Sequence, residues 1–152
     1  MYNHLFIYKF YSLVMGQIRD IMCKDVITVE DNKSAADAAK IISDNDISFL
    51  VIIKDDLPIG VLSEKDFVRK LAAVNKNASE TPISEIMSYK FRWVEPTTPI
   101  EDAIQKMLNN NIRRLLVLED GKLVGVITQT DLAAYLRDQL LVDGTIKSIN
   151  TD

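Results

Sequence analysis

Two places in the chain set a hydroxyl side chain three residues before an aspartate, after a glycine and two apolar residues. They are Gly60-Val61-Leu62-Ser63-Glu64-Lys65-Asp66 and Gly125-Val126-Ile127-Thr128-Gln129-Thr130-Asp131. An aspartate in the first turn of a helix can accept hydrogen bonds from both vicinal hydroxyls of a ribose. Charge-assisted bonds of this kind contribute about 1.5–3 kcal/mol each. The glycine, which has no Cβ, leaves room for a ligand to approach the preceding strand.

The same spacing is also typical of a helix start that has no ligand. A serine or threonine at the N-cap accepts a backbone N–H, and an acid three residues later bonds back to the cap. Ser63 with Asp66 and Thr128 with Asp131 both fit this capping pattern. The two interpretations are compatible, because one aspartate can shape the turn and also face a ligand.

Two adjacent arginines, Arg113 and Arg114, precede the short apolar run Leu115 to Leu118. A guanidinium at the start of a strand can meet a phosphate with a planar fork of N–H groups, although a solvated surface pair is the alternative. The corresponding position in the first half of the chain is Ser48, which carries no charge. If phosphates bind, we therefore expect the two halves to bind them unequally.

These motifs belong to a longer internal duplication. Ile18-Arg19-Asp20-Ile21-Met22 returns 65 residues later as Ile83-Ser84-Glu85-Ile86-Met87, the same offset that separates Gly60 from Gly125. Each half reads β-α-β-β-α: a β-branched strand, a helix with apolar residues at i, i+3, i+4 and i+7, a buried strand, and the strand and helix that carry the motif. The opening strands are predicted at 25–30 and 90–95. The first helices are predicted at 35–42, after Ser34, and at 100–107, after Pro99. The middle strands are predicted at 49–53 and 115–118.

The predicted fold class is α/β with mixed sheets, in two tandem units packed about a pseudo-two-fold axis. We place an apolar N-terminal extension at 1–15, the first unit at 16–74, a linker at 75–82, the second unit at 83–142 and a C-terminal tail at 143–152. A unit of this size is marginally stable alone, so two copies should cover each other's exposed sheet face. That packing would create two related clefts, where small molecules tend to bind.

Composition excludes several classes of function. A formal net charge of −4 and a pI of about 5.0 argue against nucleic-acid binding. With one cysteine and one histidine, the chain lacks the usual residues of zinc sites and catalytic triads, so we expect neither a metal nor an enzyme. The lone Cys23 fits a reducing compartment such as the cytoplasm. Residues 1–15 are too few to cross a membrane, and they either dock on the protein or a partner or precede a true start at Met15.

Taken together, the pattern resembles a tandem pair of CBS (cystathionine-β-synthase) domains, also called a Bateman module. The resemblance covers Ile18 to about Leu140. It rests on the two Ile-x-acid-Ile-Met segments, Val26-Ile27-Thr28-Val29-Glu30, Ile112-Arg113-Arg114-Leu115, and the glycine-hydroxyl-aspartate motif in both halves. Each feature is weak alone, but their order and constant offset make the match specific.

The resemblance implies a regulatory, non-enzymatic module that binds AMP, ADP, ATP or S-adenosylmethionine and needs no other cofactor. In such modules the motif aspartate holds the ribose and the hydroxyl assists, which maps onto Asp131 with Thr128 and Asp66 with Ser63. Arg113 maps onto the phosphate contact, with Arg114 beside it. The adenine pocket maps onto Val26, Ile27 and Thr28 in one half and onto Arg92 and Trp93 in the other.

The family also suggests how the module acts with other chains. CBS pairs commonly assemble as discs of four units, so we expect a homodimer and a separate effector protein. The alternative is a structural adaptor that dimerises or docks an effector with its clefts empty. The missing cation at Ser48 favours that alternative.

Overall fold

The computed structural model describes residues 16–142 and Gly144. The first half contains strands β1, β2 and β3 and helices α1 and α2. Their bounds are β1 Thr28–Glu30, α1 Ala35–Asn45, β2 Phe49–Lys54, β3 Leu57–Ser63 and α2 Glu64–Lys70. The strands form one sheet in the order β1-β2-β3, with β1 parallel and β3 antiparallel to β2.

The second half repeats this order after a short helix, α3. The bounds are α3 Ile83–Ile86, β4 Trp93–Val94, α4 Ile100–Asn110, β5 Arg114–Glu119, β6 Lys122–Thr128 and α5 Gln129–Val142. The strands form a second sheet in the order β4-β5-β6, with β4 parallel to β5. The predicted α/β class with two mixed sheets is confirmed.

The two first helices form because their caps and apolar spacing agree. Ser34 caps α1 by accepting the N–H of Asp37, as predicted, and Ala35, Ala38 and Ile42 bury one face. Helix α4 buries Ile100, Ala103 and Met107 at the same spacing. Each helix ends at a residue in the left-handed region that short polar side chains tolerate, Asp46 in one and Asn111 in the other.

The opening strands are shorter than predicted. The prediction began at Asp25 and Lys90, whereas β1 begins at Thr28 and β4 covers only Trp93 and Val94. In the sheets that the described residues form, each is an edge strand beside the middle strand. The parallel pairing extends only from Thr28–Val51 to Glu30–Ile53 in one sheet, and over Trp93–Leu116 and Val94–Val117 in the other.

The helix that closes the first half is also shorter than its apolar pattern suggested. The apolar residues Phe67, Leu71 and Val74 do not share one helical face, because α2 ends at Lys70 and Leu71 leaves helical geometry. A 3₁₀ turn, Ala72–Val74, follows and leaves Val74 55% exposed.

The two Ile-x-acid-Ile-Met segments, here called the lead-ins, each pack into the opposite half. The first lead-in (residues 18–22) places Ile18 in a core with Val94, Ile100 and Ile127. The second lead-in (residues 83–87) places Ile83 and Ile86 in the core of the first sheet. Each half is therefore completed by a segment that the sequence repeat assigns to the other half.

Backbone hydrogen bonds anchor both lead-ins in equivalent ways. After the first lead-in, Cys23 and Val126 exchange N–H···O bonds of 2.9 and 3.0 Å. After the second, Ser88 and Val61 exchange bonds of 2.8 and 3.0 Å. Each anchored residue thus bonds to the strand that carries the glycine motif of the opposite half.

The compact units follow this exchange rather than the repeat. The first unit comprises Asp25–Phe91 and Asp120–Leu123. The second comprises the described residues up to Lys24, Arg92–Glu119 and the described residues from Val124 on.

The boundaries drawn from the repeat and the pseudo-two-fold axis stay predictions. The predicted extension at 1–15 and, apart from Gly144, the tail at 143–152 lie outside the described residues. Among the described residues, no helix has the length and apolar character that crossing a bilayer requires.

Candidate functional site

The first motif joins the end of β3 to the start of α2. Ser63 is the last strand residue and Asp66 the third helical residue. The Ser63 N–H and hydroxyl both donate to Asp66 Oδ2, at 2.8 and 2.9 Å. The carboxylate is therefore held in a fixed orientation by the residue that precedes the helix.

The second motif has the same geometry at the start of α5. The Thr128 N–H and hydroxyl donate to Asp131 Oδ2 at 2.9 and 2.8 Å, and the Asp131 N–H donates to Thr128 Oγ1 at 3.2 Å. The capping interpretation is confirmed for both motifs. The two aspartates thus stand on equivalent, pre-ordered supports.

The two aspartates differ in the contacts of Oδ1, the carboxylate oxygen that the cap does not bind. Lys70 Nζ lies 2.8 Å from Asp66 Oδ1 and also donates to the carbonyl of Ile86 at 2.9 Å. Among the residues that the structure describes, no lysine or arginine pairs with Asp131. The residue one helical turn after Asp131 is Tyr135, where the first half has Lys70. Sequence reasoning missed Lys70, although its i,i+4 spacing from Asp66 is typical of a helical ion pair.

The environment of Asp66 alters its acidity. Burial raises the pKa of the Asp66 carboxyl, but the bonds from Lys70 and from the backbone and side chain of Ser63 together outweigh burial. The pKa of Asp66 consequently lies below its usual value of 3.8, and the carboxylate is charged at neutral pH.

The start of each middle strand lies beside the motif helix. The Gln129 N–H donates to the Arg113 carbonyl at 3.0 Å, and the Glu64 N–H donates to the Ser48 carbonyl at 3.1 Å. In the second unit this places Arg113 next to the first residue of the helix that bears Asp131. The Arg113 side chain is exposed, whereas Arg114, the first residue of β5, is half-buried.

The residues assigned to the adenine pocket occupy the opening strands. Ile27 packs against the core of the first sheet, and Thr28 starts β1, in the same sheet as Ser63. In the second unit, the Arg92 carbonyl accepts the Leu116 N–H at 3.0 Å. The Trp93 carbonyl accepts a 2.7 Å bond from Lys106 Nζ, and its side chain is 45% exposed. Each unit therefore holds an opening-strand segment in the sheet that also carries its motif.

The motif glycines allow the lead-ins and the residues after them to pack closely against the strands that carry the motifs. A Cβ on Gly125 would lie 2.7 Å from the Met22 sulfur and 3.0 Å from the Cys23 carbonyl oxygen. A Cβ on Gly60 would lie 2.9 Å from the Met87 sulfur and 3.0 Å from the Ser88 carbonyl oxygen. The expectation that these glycines leave room for a ligand is wrong on this side, because the protein's own chain fills the space.

The second unit also contains an apolar groove of about 210 Å³ between α4 and α5. Its lining residues are Ile104, Met107, Leu108, Gln129, Leu132, Ala133 and Leu136. Neither Asp131 nor Arg113 lines the groove, so it is separate from the motif carboxylate. Within the described part of the chain, no three His, Cys, Asp or Glu side chains are grouped to hold a metal ion.

Comparison with known families decides what kind of domain this is. The family model for the CBS domain matches residues 18–73 and again residues 83–138. The chain belongs to the CBS domain family. Each match includes one lead-in and one glycine-hydroxyl-aspartate motif, so this CBS pair has both copies of the proposed site residues in sequence order.

Relatives of this CBS pair include proteins of similar length. The CBS domain-containing protein YhcV of Bacillus subtilis (strain 168) is 29% identical over 119 residues, covering 78% of this chain and 84% of that protein. A crystal structure of the CBS domain pair of protein MJ0100 in complex with 5′-methylthioadenosine and S-adenosyl-L-methionine is 27% identical with a TM-score of 0.72, covering 87% of this chain and 99% of that chain. A hexameric CBS-CP12 protein from bloom-forming cyanobacteria is 25% identical with a TM-score of 0.72, covering 88% and 73%.

Proposed function

We propose that this CBS pair is a non-enzymatic sensor of an adenosine-containing ligand (AMP, ADP, ATP or S-adenosylmethionine), bound mainly through Asp131. The observation that carries the proposal is the set of contacts that this carboxylate makes. Thr128 fixes Oδ2 with two hydrogen bonds, while no lysine or arginine in the described ranges forms an ion pair with Asp131.

The geometry suits recognition of a ribose. A carboxylate has about four acceptor positions, and Thr128 uses two of those on Asp131. The remaining positions can accept both vicinal hydroxyls of the sugar. Because Thr128 has already ordered the carboxylate, binding costs little additional side-chain entropy.

Arg113 is the residue that we expect to contact a phosphate group of the ligand. The exposed Arg113 immediately precedes β5, and the Gln129 N–H at the start of α5 donates to its carbonyl. Its guanidinium suits a phosphate better than an ammonium does, because it offers a planar fork of donors. Arg114 is adjacent and adds positive charge. The first unit has Ser48 here, so we assign Ser63, Asp66, Ile27 and Thr28 to a secondary site.

Regulation follows if the ligand prefers one of two arrangements of the protein, because binding shifts an equilibrium only through a difference in affinity. We propose that the module works as a homodimer and reports to a separate effector protein. The hexameric CBS-CP12 neighbour supports self-association of such chains. Exposed Cys23 supports a reducing compartment, the cytoplasm.

Isothermal titration tests the proposal. Purified protein, verified as folded and free of nucleotide, is titrated with AMP, ATP and S-adenosylmethionine. We expect saturable binding of at least one of them, weakened at least tenfold in Asp131→Asn. Asp138→Asn, an exposed aspartate on the same helix, is the matched control and should bind as the wild type does. Absence of binding for all three ligands would contradict the proposal.

A structural adaptor is the second candidate function. Two observations favour it: Ser48 brings no cation, and Lys70 already pairs with Asp66. Thermal melting separates the two functions, since a ligand that binds only the folded state must raise the Tm. An adaptor predicts an unchanged Tm with every adenosyl ligand, together with a stable dimer in analytical ultracentrifugation.

A further inference from the structure

We infer that Lys70 is a specificity-determining residue that competes with a ligand diol for the first motif and so makes Asp131 the stronger of the two ligand-accepting carboxylates. The inference rests on the proposed function, because it decides which of two otherwise equivalent motifs takes the sugar. The two motifs agree closely: the four hydroxyl and backbone bonds to the aspartates measure 2.8–2.9 Å.

Lys70 contacts Oδ1, the carboxylate oxygen of Asp66 that the cap does not bind. Ser63 takes Oδ2 twice, and the ammonium lies 2.8 Å from Oδ1. The Asp66 side chain is only 17% exposed. A ribose that approached this carboxylate would have to displace the ammonium. It would then replace a charge-assisted bond between two ions with a weaker bond from a neutral hydroxyl.

A second bond keeps Lys70 in place. Its ammonium also donates to the Ile86 carbonyl at 2.9 Å, at the end of the short helix in the second lead-in. Displacing Lys70 would therefore break two hydrogen bonds, one of them to a backbone group that has to find another donor. Because the lysine side chain is 42% exposed, solvent screens the pair partly, but the two anchors hold its position.

The second motif has a different residue at the helical position of Lys70. Residue 135 is tyrosine, and its ring packs against the core of the second sheet. A tyrosine side chain has no cationic group, so it cannot form the ion pair that Lys70 forms with Asp66. No lysine or arginine among the described residues pairs with Asp131, so the exchange of Lys70 for Tyr135 distinguishes the surroundings of the two aspartates.

The test exchanges these two residues separately. Lys70→Met keeps the length of the side chain and removes its charge, and Tyr135→Lys gives Asp131 the same i,i+4 partner that Asp66 has. Both variants are titrated calorimetrically with AMP and with adenosine, which lacks phosphate. Lys65→Met removes an exposed lysine from the same helix, and Tyr135→Met removes the phenol without adding charge. Circular dichroism melting verifies that every variant is folded.

We expect one ligand per wild-type chain, a rise toward two in Lys70→Met, and at least tenfold weaker binding in Tyr135→Lys than in Tyr135→Met. Wild-type binding with unchanged stoichiometry in Lys70→Met and unchanged affinity in Tyr135→Lys would overturn the role of Lys70 alone. Weaker AMP binding in Lys70→Met would also overturn it, because Lys70 would then be a ligand contact. No binding by any of the proteins would overturn the proposed function as well.

Discussion

The sulfur of Met22 lies 2.7 Å from the point where a Cβ on Gly125 would sit, and the sulfur of Met87 lies 2.9 Å from the equivalent point on Gly60. Neither glycine is required for a left-handed backbone. Both are required because a lead-in crosses the strand closely, with a backbone carbonyl 3.0 Å from the same point. The repeated glycine and the repeated methionine are therefore two sides of one packing contact.

Replacing Gly125 with alanine should destabilise the protein by about 1–3 kcal/mol, the usual cost of forcing an extra carbon into a filled space. Urea denaturation measures the change in unfolding free energy. In a Met22→Ala background the cost should fall, because the sulfur is gone while the Cys23 carbonyl remains.

Gly121 provides a control, because a side chain there would strain the backbone without meeting any neighbouring atom. It has a φ of +78° with nothing within 4 Å of its Cβ position, so Gly121→Ala should cost about 1–2 kcal/mol through backbone strain alone. Met22→Ala should leave that cost unchanged. A Gly125→Ala protein as stable as the wild type would contradict the packing explanation.

Ser34→Ala should lower the unfolding free energy by about 1 kcal/mol, because Ser34 caps α1 by accepting the Asp37 N–H. Ser43→Ala, an exposed change within the same helix, is the matched control and should be near neutral. The measurement is equilibrium denaturation followed by circular dichroism. Equal stabilities of the two variants would show that the cap contributes nothing.

Acid should destabilise the protein partly through Asp66. Its folded-state pKa lies below the usual 3.8, so its ionised form contributes stability above that value, and this contribution is lost as the pH falls through the folded-state pKa. Asp66→Asn should therefore show a shallower loss of unfolding free energy than the wild type below about pH 4. A parallel pH dependence of the two proteins would contradict this assignment.

Lys70→Met should raise the pKa of Asp66 relative to the wild type. The substitution removes the lysine bond while the burial that raises the pKa remains. An NMR titration of the Asp66 carboxyl carbon measures the shift directly, and Lys65→Met should leave it unchanged. A lower pKa in Lys70→Met would be incompatible with the ion pair.

Arg113→Ala should weaken AMP binding more than adenosine binding, if the proposed function holds, because only AMP carries the phosphate that the guanidinium would meet. We expect about tenfold or more for AMP and little change for adenosine, measured by isothermal titration. Lys40→Ala, on the exposed face of α1, controls for the loss of one positive charge. Equal losses for both ligands would assign Arg113 to the fold rather than to phosphate.

The sequence predicts the helices and the motif geometry well because both are local. The spacing of Ala35, Ala38 and Ile42 behind Ser34 specifies a capped helix with one buried face. The bonds from Ser63 to Asp66 and from Thr128 to Asp131 join residues three apart, so they follow from the motif itself. The family resemblance predicted from the same motifs is confirmed.

The exchange of lead-ins could not be read from periodicity. The isoleucine pattern of residues 18–22 predicts a buried face but not the surface that buries it, and a duplicated chain offers two similar surfaces. The short opening strands were missed for a related reason: β-branched residues such as Val26 and Ile27 favour extended backbone, while the length of a strand depends on its partner.

The exchange of lead-ins affects the order in which the two units can fold during synthesis. Nearly all of the first unit is encoded in one continuous stretch, Asp25–Phe91, so it can fold while the ribosome is still adding the remainder. The second unit joins Ile18, near the beginning, to Ile127 and Leu132, near the end. The earliest lead-in to emerge is consequently among the last segments to find its partner, and until then its apolar side chains stay exposed on the nascent chain.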